Sequence, residues 1–388
     1  MKKIVLPLIA LSAIFMVIPL SAQSYDDHYS SYVELTPETS GERQATAEAL
    51  EDDVYDLMNV NTWERLSVEN LFVFTGINST TQSTFAAGKK IRGDDLASVS
   101  WTGNLWSDKD VAEGDAAGRK NDFSGMYGWG KFALRLALFN QSADTYAYTY
   151  DDTNTFNLTD FEQTRFAALF GYNHTEKLSF NVGGGYHSLS ADHSPNNALL
   201  TGTTVKYKLS APSVTAAVIY ALIKSEKQEA KISATYDGVF QTFKYGDGKI
   251  KKTTNTLTAE AKVKWQPVDR LTYGLDVIMP LSFVTLKDDG STNTVTWGMT
   301  IRNGCTIDVK PEFFLLHLGM ETTIPDIISD DGDRKYGEHE NKYYAGFSLF
   351  LIPKLRLDAC ADFSANAKAV SMENIWQKGF TLSLRGDF

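Results

Sequence analysis

Cysteine is almost missing from this chain: there are two, Cys305 and Cys360, in 388 residues. That excludes a disulfide-stapled scaffold and any cysteine-rich zinc or iron–sulfur site. An excess of positive charge is missing too. Lys and Arg number 37 against 48 Asp and Glu, a formal charge of -11, which argues against a broad basic surface for nucleic acid. After the first 23 residues no apolar run approaches the ~18–20 residues of a membrane helix, so a multi-span helical protein is excluded. Catalytic signatures are equally scarce. The histidines, His28, His174, His187, His193, His317 and His339, include no pair spaced as on a metalloprotease helix, and there is no Gly-x-Ser-x-Gly and no phosphate loop. What the chain does have is 43% apolar residues, too many for a disordered chain and enough for one large core or two smaller ones.

The N-terminus reads as an address. Met1-Lys2-Lys3 is basic, Ile4 to Leu20 carries no charge, and Ser21-Ala22-Gln23 supplies small residues. This order predicts a secretory signal peptide over 1–22, cut after Ala22. No cysteine lies near the cut, so lipoprotein processing is not available. Loss of Lys2 and Lys3 leaves 35 basic against 48 acidic residues, or -13.

The body of the chain alternates with period two, as strands do when successive side chains point to opposite faces. Leu178, Phe180, Val182, Gly184 and Tyr186 form one face; so do Leu257, Ala259, Ala261, Val263 and Trp265. Similar apolar faces start at Leu271, Val295, Leu355 and Phe380. Further alternating segments are Asp122–Asn140, Arg165–Tyr172, Val205–Leu209, Val214–Leu222, Lys231–Phe240, Phe314–Met320 and Tyr343–Leu351, with less contrast at Leu71–Ile77, Val99–Trp106 and Tyr146–Tyr150. Turn residues separate them at 173–177, 210–213, 266–270 and 352–354. Charges recur on the polar faces, and aromatics such as Tyr172, Tyr186, Trp265, Phe363 and Phe388 stand near the ends of the apolar ones. Long polar loops are expected near 241–253, 285–292, 325–341 and 364–378, with short turns between them.

A soluble sandwich also alternates, but inward charges, terminal aromatics and unequal connections together favour an all-β, transmembrane antiparallel up-and-down β-barrel over 67–388. About 14 strands are expected, within 12 to 16, the number being even if both termini lie on one side. The count does not close at 210–213 and 224–228, two short connectors in succession.

Phe380, Leu382, Leu384 and Phe388, at alternate positions up to the last residue, resemble the C-terminal signal that bacterial outer-membrane β-barrel proteins present to the barrel-assembly machinery. That class resemblance implies a porin-like protein in the outer membrane. In layout the chain is also similar to the long-chain fatty-acid channel family, whose barrel is of about this size with an N-terminal hatch, although the Asn-Pro-Ala signature is absent and Pro37 is the one proline in 24–66.

The segment 23–66 differs from the rest. Residues 24–60 hold ten acidic residues and one basic residue, Arg43, and Ala45, Ala49, Leu50, Val54 and Leu57 have helical spacing. It reads either as a plug in the lumen or as an acidic periplasmic leader.

The candidate pore-lining residues follow from parity: Lys131, Arg135, Lys206, Lys208, Lys231, Glu260, Lys262, Lys264, Asp276, Arg356, Asp358, Asp362 and Arg385. Basic residues outnumber acidic ones among them, which would favour anions unless the acidic segment neutralises them. Gly183-Gly184-Gly185 reads as a tight bend or close backbone approach. His187 faces inward by parity, but Ser188 beside it must face outward, so the two make no catalytic pair. Ser329-Asp330-Asp331-Gly332-Asp333 is an acidic loop without full EF-hand spacing. The expectation is a non-enzymatic outer-membrane channel for small solutes, with lipid and the assembly machinery as partners and without cofactor, metal or nucleic acid. A plugged barrel for hydrophobic substrates such as fatty acids, and a non-conducting barrel binding partners through its loops, are the alternatives.

Overall fold

The computed structural model describes Val60 and residues 71–78, 82–93, 95–104, 119–151, 154–193, 205–225, 227–245, 248–287, 291–329, 334–336, 340–352, 354–362 and 380–387. The expected signal peptide, the helix at 44–58, the acidic loop at 330–333 and the terminal Phe388 lie outside these residues.

Every described segment except Val60 belongs to one antiparallel sheet or its turns. The strands are β1 (Phe72–Asn78), β2 (Gln82–Arg92), β3 (Asp95–Asn104), β4 (Arg119–Trp129), β5 (Phe132–Asp151), β6 (Asn154–Asn173), β7 (Leu178–His193), β8 (Val205–Ser225), β9 (Gln228–Tyr245), β10 (Gly248–Val268), β11 (Leu271–Lys287), β12 (Ser291–Lys310), β13 (Phe314–Ser329), β14 (Arg334–Tyr336), β15 (Glu340–Ile352), β16 (Leu355–Asp362) and β17 (Phe380–Asp387). Apart from the short β14, each pairs with its neighbours along the chain. The sheet closes because β1 pairs with both β2 and β17. The short β14 pairs with β13 alone, while β13 passes on to β15. Seventeen strands less β14 leave sixteen in the wall. Closure matters because an open edge in lipid would leave backbone donors and acceptors without partners.

The wall is an up-and-down barrel with unequal ends. Gly93 and Gly130 adopt φ of 59° and 53° in two of the short turns, a region glycine reaches without a Cβ clash. Phe72 pairs with Asp387, so both ends of the described barrel lie at the short-turn rim. Strands β5 to β13 have 16 to 21 residues, well beyond the ~9–11 that cross a bilayer, so they stand proud of it on the long-loop side.

Three expectations change here. Residues 210–213 form no turn: β8 runs unbroken from Val205 to Ser225. Pro212 lacks the N–H a ladder needs, and the β8–β9 pairing skips Ala211 and Pro212 while holding its register on either side. With that turn removed, the unclosed count disappears. The loops expected at 241–253 and 285–292 are strand extensions instead, β9 to β10 and β11 to β12 being joined by tight hairpins. β2 is an additional strand that alternation did not single out.

The outer face carries the exposed apolar side chains. Leu134, Leu136, Leu138, Val182, Val218 and Leu257 are between 39% and 56% exposed, which suits a surface bathed by acyl chains. At the short-turn rim an aromatic run crosses β4 to β7: Tyr127–Trp129 at 5.5 Å, Trp129–Phe132 at 6.1 Å, Phe132–Tyr172 at 5.0 Å and Tyr172–Phe180 at 6.5 Å between ring centroids. Such rings belong where lipid meets water. Gly183 and Gly185 mark close approach: a Cβ there would lie 2.5 Å from the Ala168 carbonyl oxygen and 2.7 Å from that of Phe166.

Candidate functional site

The candidate site is the inward face, and its chemistry changes around the barrel. On β1 to β6 it is covered, and small apolar residues share it with buried polar ones such as Ser98, Ser100, Thr102 and Gln141. Phe72, Ala86, Leu96, Met126, Ala133, Ala137, Ala167 and Leu169 form one buried cluster, with Ala86, Leu96 and Ala133 at 0% exposure. Val60, from the segment before the barrel, belongs to the same cluster and is 2% exposed. It lies against Gly171 so closely that a Cβ on that glycine would come within 2.5 Å of the Val60 carbonyl oxygen. Arg135 is set among these residues, 3% exposed, its Nε donating to Ser124 Oγ at 2.7 Å.

From β9 to β15 the inward face is charged. One rung of the ladder runs Lys231, Lys262, Asp276, Arg302, Glu321, Lys342 across six neighbouring wall strands. Glu260, one inward position along β10, joins it. Lys262 Nζ lies 3.3 Å from Glu260 and 3.8 Å from Asp276; Arg302 lies 3.9 Å from Asp276 and 2.6 Å from Glu321; Lys342 lies 3.6 Å from Glu321. Asp276 is fully buried between its two cations. Four cations face three anions, so the rung is nearly compensated. Fixed pairs of both signs on one face screen one another.

Nearer the short-turn rim a hydrogen-bond relay joins four strands. Thr306 Oγ1 lies 3.0 Å from His317 Nδ1, His317 Nε2 lies 2.7 Å from Ser348 Oγ, and Ser348 Oγ donates to Asp358 Oδ1 at 2.5 Å. Arg356 Nε pairs with the same carboxylate at 2.5 Å. With Ser348 donating to Asp358, His317 Nε2–H donates to Ser348 and the Thr306 hydroxyl donates to Nδ1, which makes one continuous chain from Thr306 to Asp358. The order is not that of a hydrolytic triad: the serine stands between the histidine and the carboxylate, and Ser348 is 0% exposed. Among the described residues no group of three His, Cys, Asp or Glu is arranged for a metal.

An apolar patch faces inward on the long-loop half of β7 to β9: Leu209, Ala211 and Val239 are buried, with Leu189 and Phe243 packed on them. Tyr207 adds its ring 6.5 Å from that of Phe243. On β5 and β6, Arg165 stacks 4.8 Å from the Phe139 ring centre.

Of the parity-derived residues, Arg135, Lys231, Glu260, Lys262, Lys264, Asp276, Arg356 and Asp358 occupy the inward register. Arg385 pairs with Arg356 and Phe74 in the ladder, and Asp362 with Tyr344. Three sit elsewhere. Lys131 is in the turn before β5 and donates to the His174 carbonyl of the next turn at 2.9 Å. Lys206 and Lys208 are exposed on the outer face, because unbroken β8 carries the parity of Val214 and Val218 through to them. Arg302, Glu321 and Lys342 were absent from the sequence list. Their signal was present, since Arg302 continues the alternation of Val295 to Ile301 by one residue, but their pairing shows only when strands are set in register. Cys305 is half-buried on the outward register of β12, Cys360 buried on the inward register of β16, and the two form no disulfide.

A closed sixteen-stranded up-and-down wall with an apolar outer face defines a transmembrane β-barrel of the bacterial outer-membrane class. No protein-family profile and no curated protein matches the sequence. Among solved structures the chain is similar to a Pseudomonas aeruginosa FadL homologue, with 13% identity, 91% of this chain and 99% of that one covered, and a TM-score of 0.47. It is similar to the Pseudomonas putida toluene transporter TodX at 10% identity, 87% and 94% coverage and a TM-score of 0.42. It is also similar to the Bordetella pertussis alcaligin outer-membrane receptor FauA at 9% identity, 75% and 50% coverage and a TM-score of 0.41. The likeness is one of fold alone.

Proposed function

We propose that the chain is an outer-membrane channel whose lumen is partly filled by its own N-terminal segment, and that it passes small solutes with apolar character. The observation that carries this is the covered wall of β2 to β6. An inward alanine in an open, water-filled barrel would be wet, yet Ala86 and Ala133 have no exposure, and Val60 packs in the same cluster. The 23–66 segment then acts as a plug rather than a free leader. The patch around Leu209, Val239 and Phe243 gives an apolar solute a place to leave water on the outer half.

A second reading, an open polar pore, is favoured by the other wall, where inward Thr254, Thr256, Thr258 and Thr300 stay half-exposed beside the charged rung. In both readings the closing strand β17 supplies the assembly signal, with Leu382 exposed on the outer face and Leu384 half-buried on it.

Single-channel conductance in a planar bilayer separates the readings. The plugged channel predicts little or no current from the mature chain and steady current after deletion of 23–66. Large steady current from the intact chain would support the open pore. Correct insertion without current from either form would point to a filled barrel that binds through its loops.

A further inference from the structure

The strongest charged feature outside the lumen lies on the outer face at the long-loop end of β8 to β11. Lys206 and Lys208 on β8, Lys244 on β9, Lys249 and Lys251 on β10 and Lys287 on β11 are all exposed. Each shares the parity of a lipid-facing residue on its own strand: Val214, Phe240, Leu257 and Phe283. The ladder sets them side by side. Lys208 pairs with Lys244 and Lys244 with Lys249, three ammonium side chains in one row over three strands. Lys251 stands directly opposite Lys287. Cross-strand partners have Cβ atoms roughly 4.5–5.5 Å apart, and like charges placed so repel. None of the six has an ion-pair partner among the described residues; Asp192, opposite Lys206 in the ladder, marks the edge of the patch. A chain of net charge -11 has thus gathered cations at a place where they destabilise the bare sheet.

Their height on the barrel identifies what relieves this repulsion. Lys244 and Lys287 are four residues beyond Phe240 and Phe283, and Lys208 and Lys251 six beyond Val214 and Leu257. At ~3.3 Å per residue and a tilt of about 40°, that is roughly 10–15 Å above the last apolar contacts. This is the level of headgroups rather than acyl chains.

We propose that this face binds the phosphorylated headgroups of outer-leaflet glycolipid, the phosphates lying between the lysine rows and bridging β8 to β11. The inference rests on the outer-membrane reading above. It differs from the lumen's chemistry in both location and partner.

The test uses the full mature chain refolded in a neutral detergent, titrated with diphosphorylated lipid A and with its dephosphorylated counterpart. The comparison protein is the Lys208→Gln, Lys244→Gln, Lys249→Gln triple variant. These side chains are exposed, so folding is checked by heat-modifiable migration, and Lys354→Gln, in a turn at the opposite rim, serves as the control. The expected result is a loss of at least ~10-fold in affinity for the diphosphorylated lipid in the triple variant. The control and the dephosphorylated lipid should show no such loss, and the difference should shrink with added salt. Equal binding by the triple variant, or equal binding of the two lipids, would overturn the proposal. So would inorganic phosphate binding as tightly as the lipid. A barrel that inserts into vesicles normally but ignores the phosphates would sink this inference alone; one that fails to insert would sink the membrane reading on which it rests.

Discussion

The inward faces of β2 to β6 and of β9 to β15 belong to one closed sheet and obey one alternation, yet they differ in almost every property. The first is covered, its alanines and its buried serines and threonines alike, with Ala86 and Ala133 at 0% exposure and Val60 against Gly171. The second is lined by threonines that stay half-exposed and by a rung of paired charges in which Lys262, Asp276 and Glu321 are buried. Strand geometry does not set this difference, because both walls have the same pleat. What each wall faces sets it. Small apolar residues are stable inside a wide barrel when something packs on them, and paired charges are stable where water or opposite charges remain near.

This contrast also explains how well the sequence could be read. On β7, β10 and β11 the lipid face is apolar and the other face polar, and alternation located all three strands. On β2 the outward set includes Phe85, Ala87 and Ile91 and the inward set includes Ala86 and Gly88, so both faces are apolar or small and the period fades. β1 alternates weakly for the same reason, with Phe72, Phe74 and Gly76 against Val73, Thr75 and Ile77. The error in β8 had a different origin. Ser-Ala-Pro-Ser has the chemistry of a turn, but a gap in the β8–β9 ladder accommodates Pro212, and the misplaced turn inverted the faces of Lys206 and Lys208. The charged rung was half legible: Glu260, Lys262 and Asp276 follow from parity within strands, whereas Arg302, Glu321 and Lys342 needed the register between them.

Several substitutions would break or sharpen the comparison. The largest effect is expected from Gly171→Val, whose side chain must displace Val60. It should raise conductance of the intact protein toward that of the 23–66 deletion, whereas Thr258→Val on the other wall should leave it near the starting value; bilayer recordings decide. Next, Asp276→Asn removes the buried carboxylate between Lys262 and Arg302. A loss of about 3–5 kcal/mol in urea-driven unfolding is expected, with reversal potentials moving toward anion selectivity as four cations then face two anions. Leu136→Arg, on the lipid side beside inward Ala137, should cost about 2–4 kcal/mol in the same assay, the price of a charge in mid-membrane.

The smallest effect concerns neither wall but the turns beneath them. Lys227 Nζ donates to Asp269 Oδ1 at 2.6 Å between two short turns, and this hydrogen bond and charge hold the Asp269 carboxyl below its usual range. A depressed folded pKa contributes stability above the unfolded value of about 4, lost as pH falls through the folded one. Asp269→Asn should therefore unfold slightly more easily than the parent at pH 7 and equally easily once the parent carboxyl is protonated, as thermal melts at the two pH values would show.

The central claim is that the N-terminal segment covers one wall of the lumen and leaves the other wet. Thiol accessibility tests it directly. In a Cys305→Ser, Cys360→Ser background, Ala133→Cys and Thr258→Cys are reacted in turn with a water-soluble thiol reagent, with and without residues 23–66. The account predicts slow reaction at Ala133→Cys and fast reaction at Thr258→Cys in the full mature chain, and comparable rates once the segment is removed. Equal rates at both positions with the segment present would contradict it.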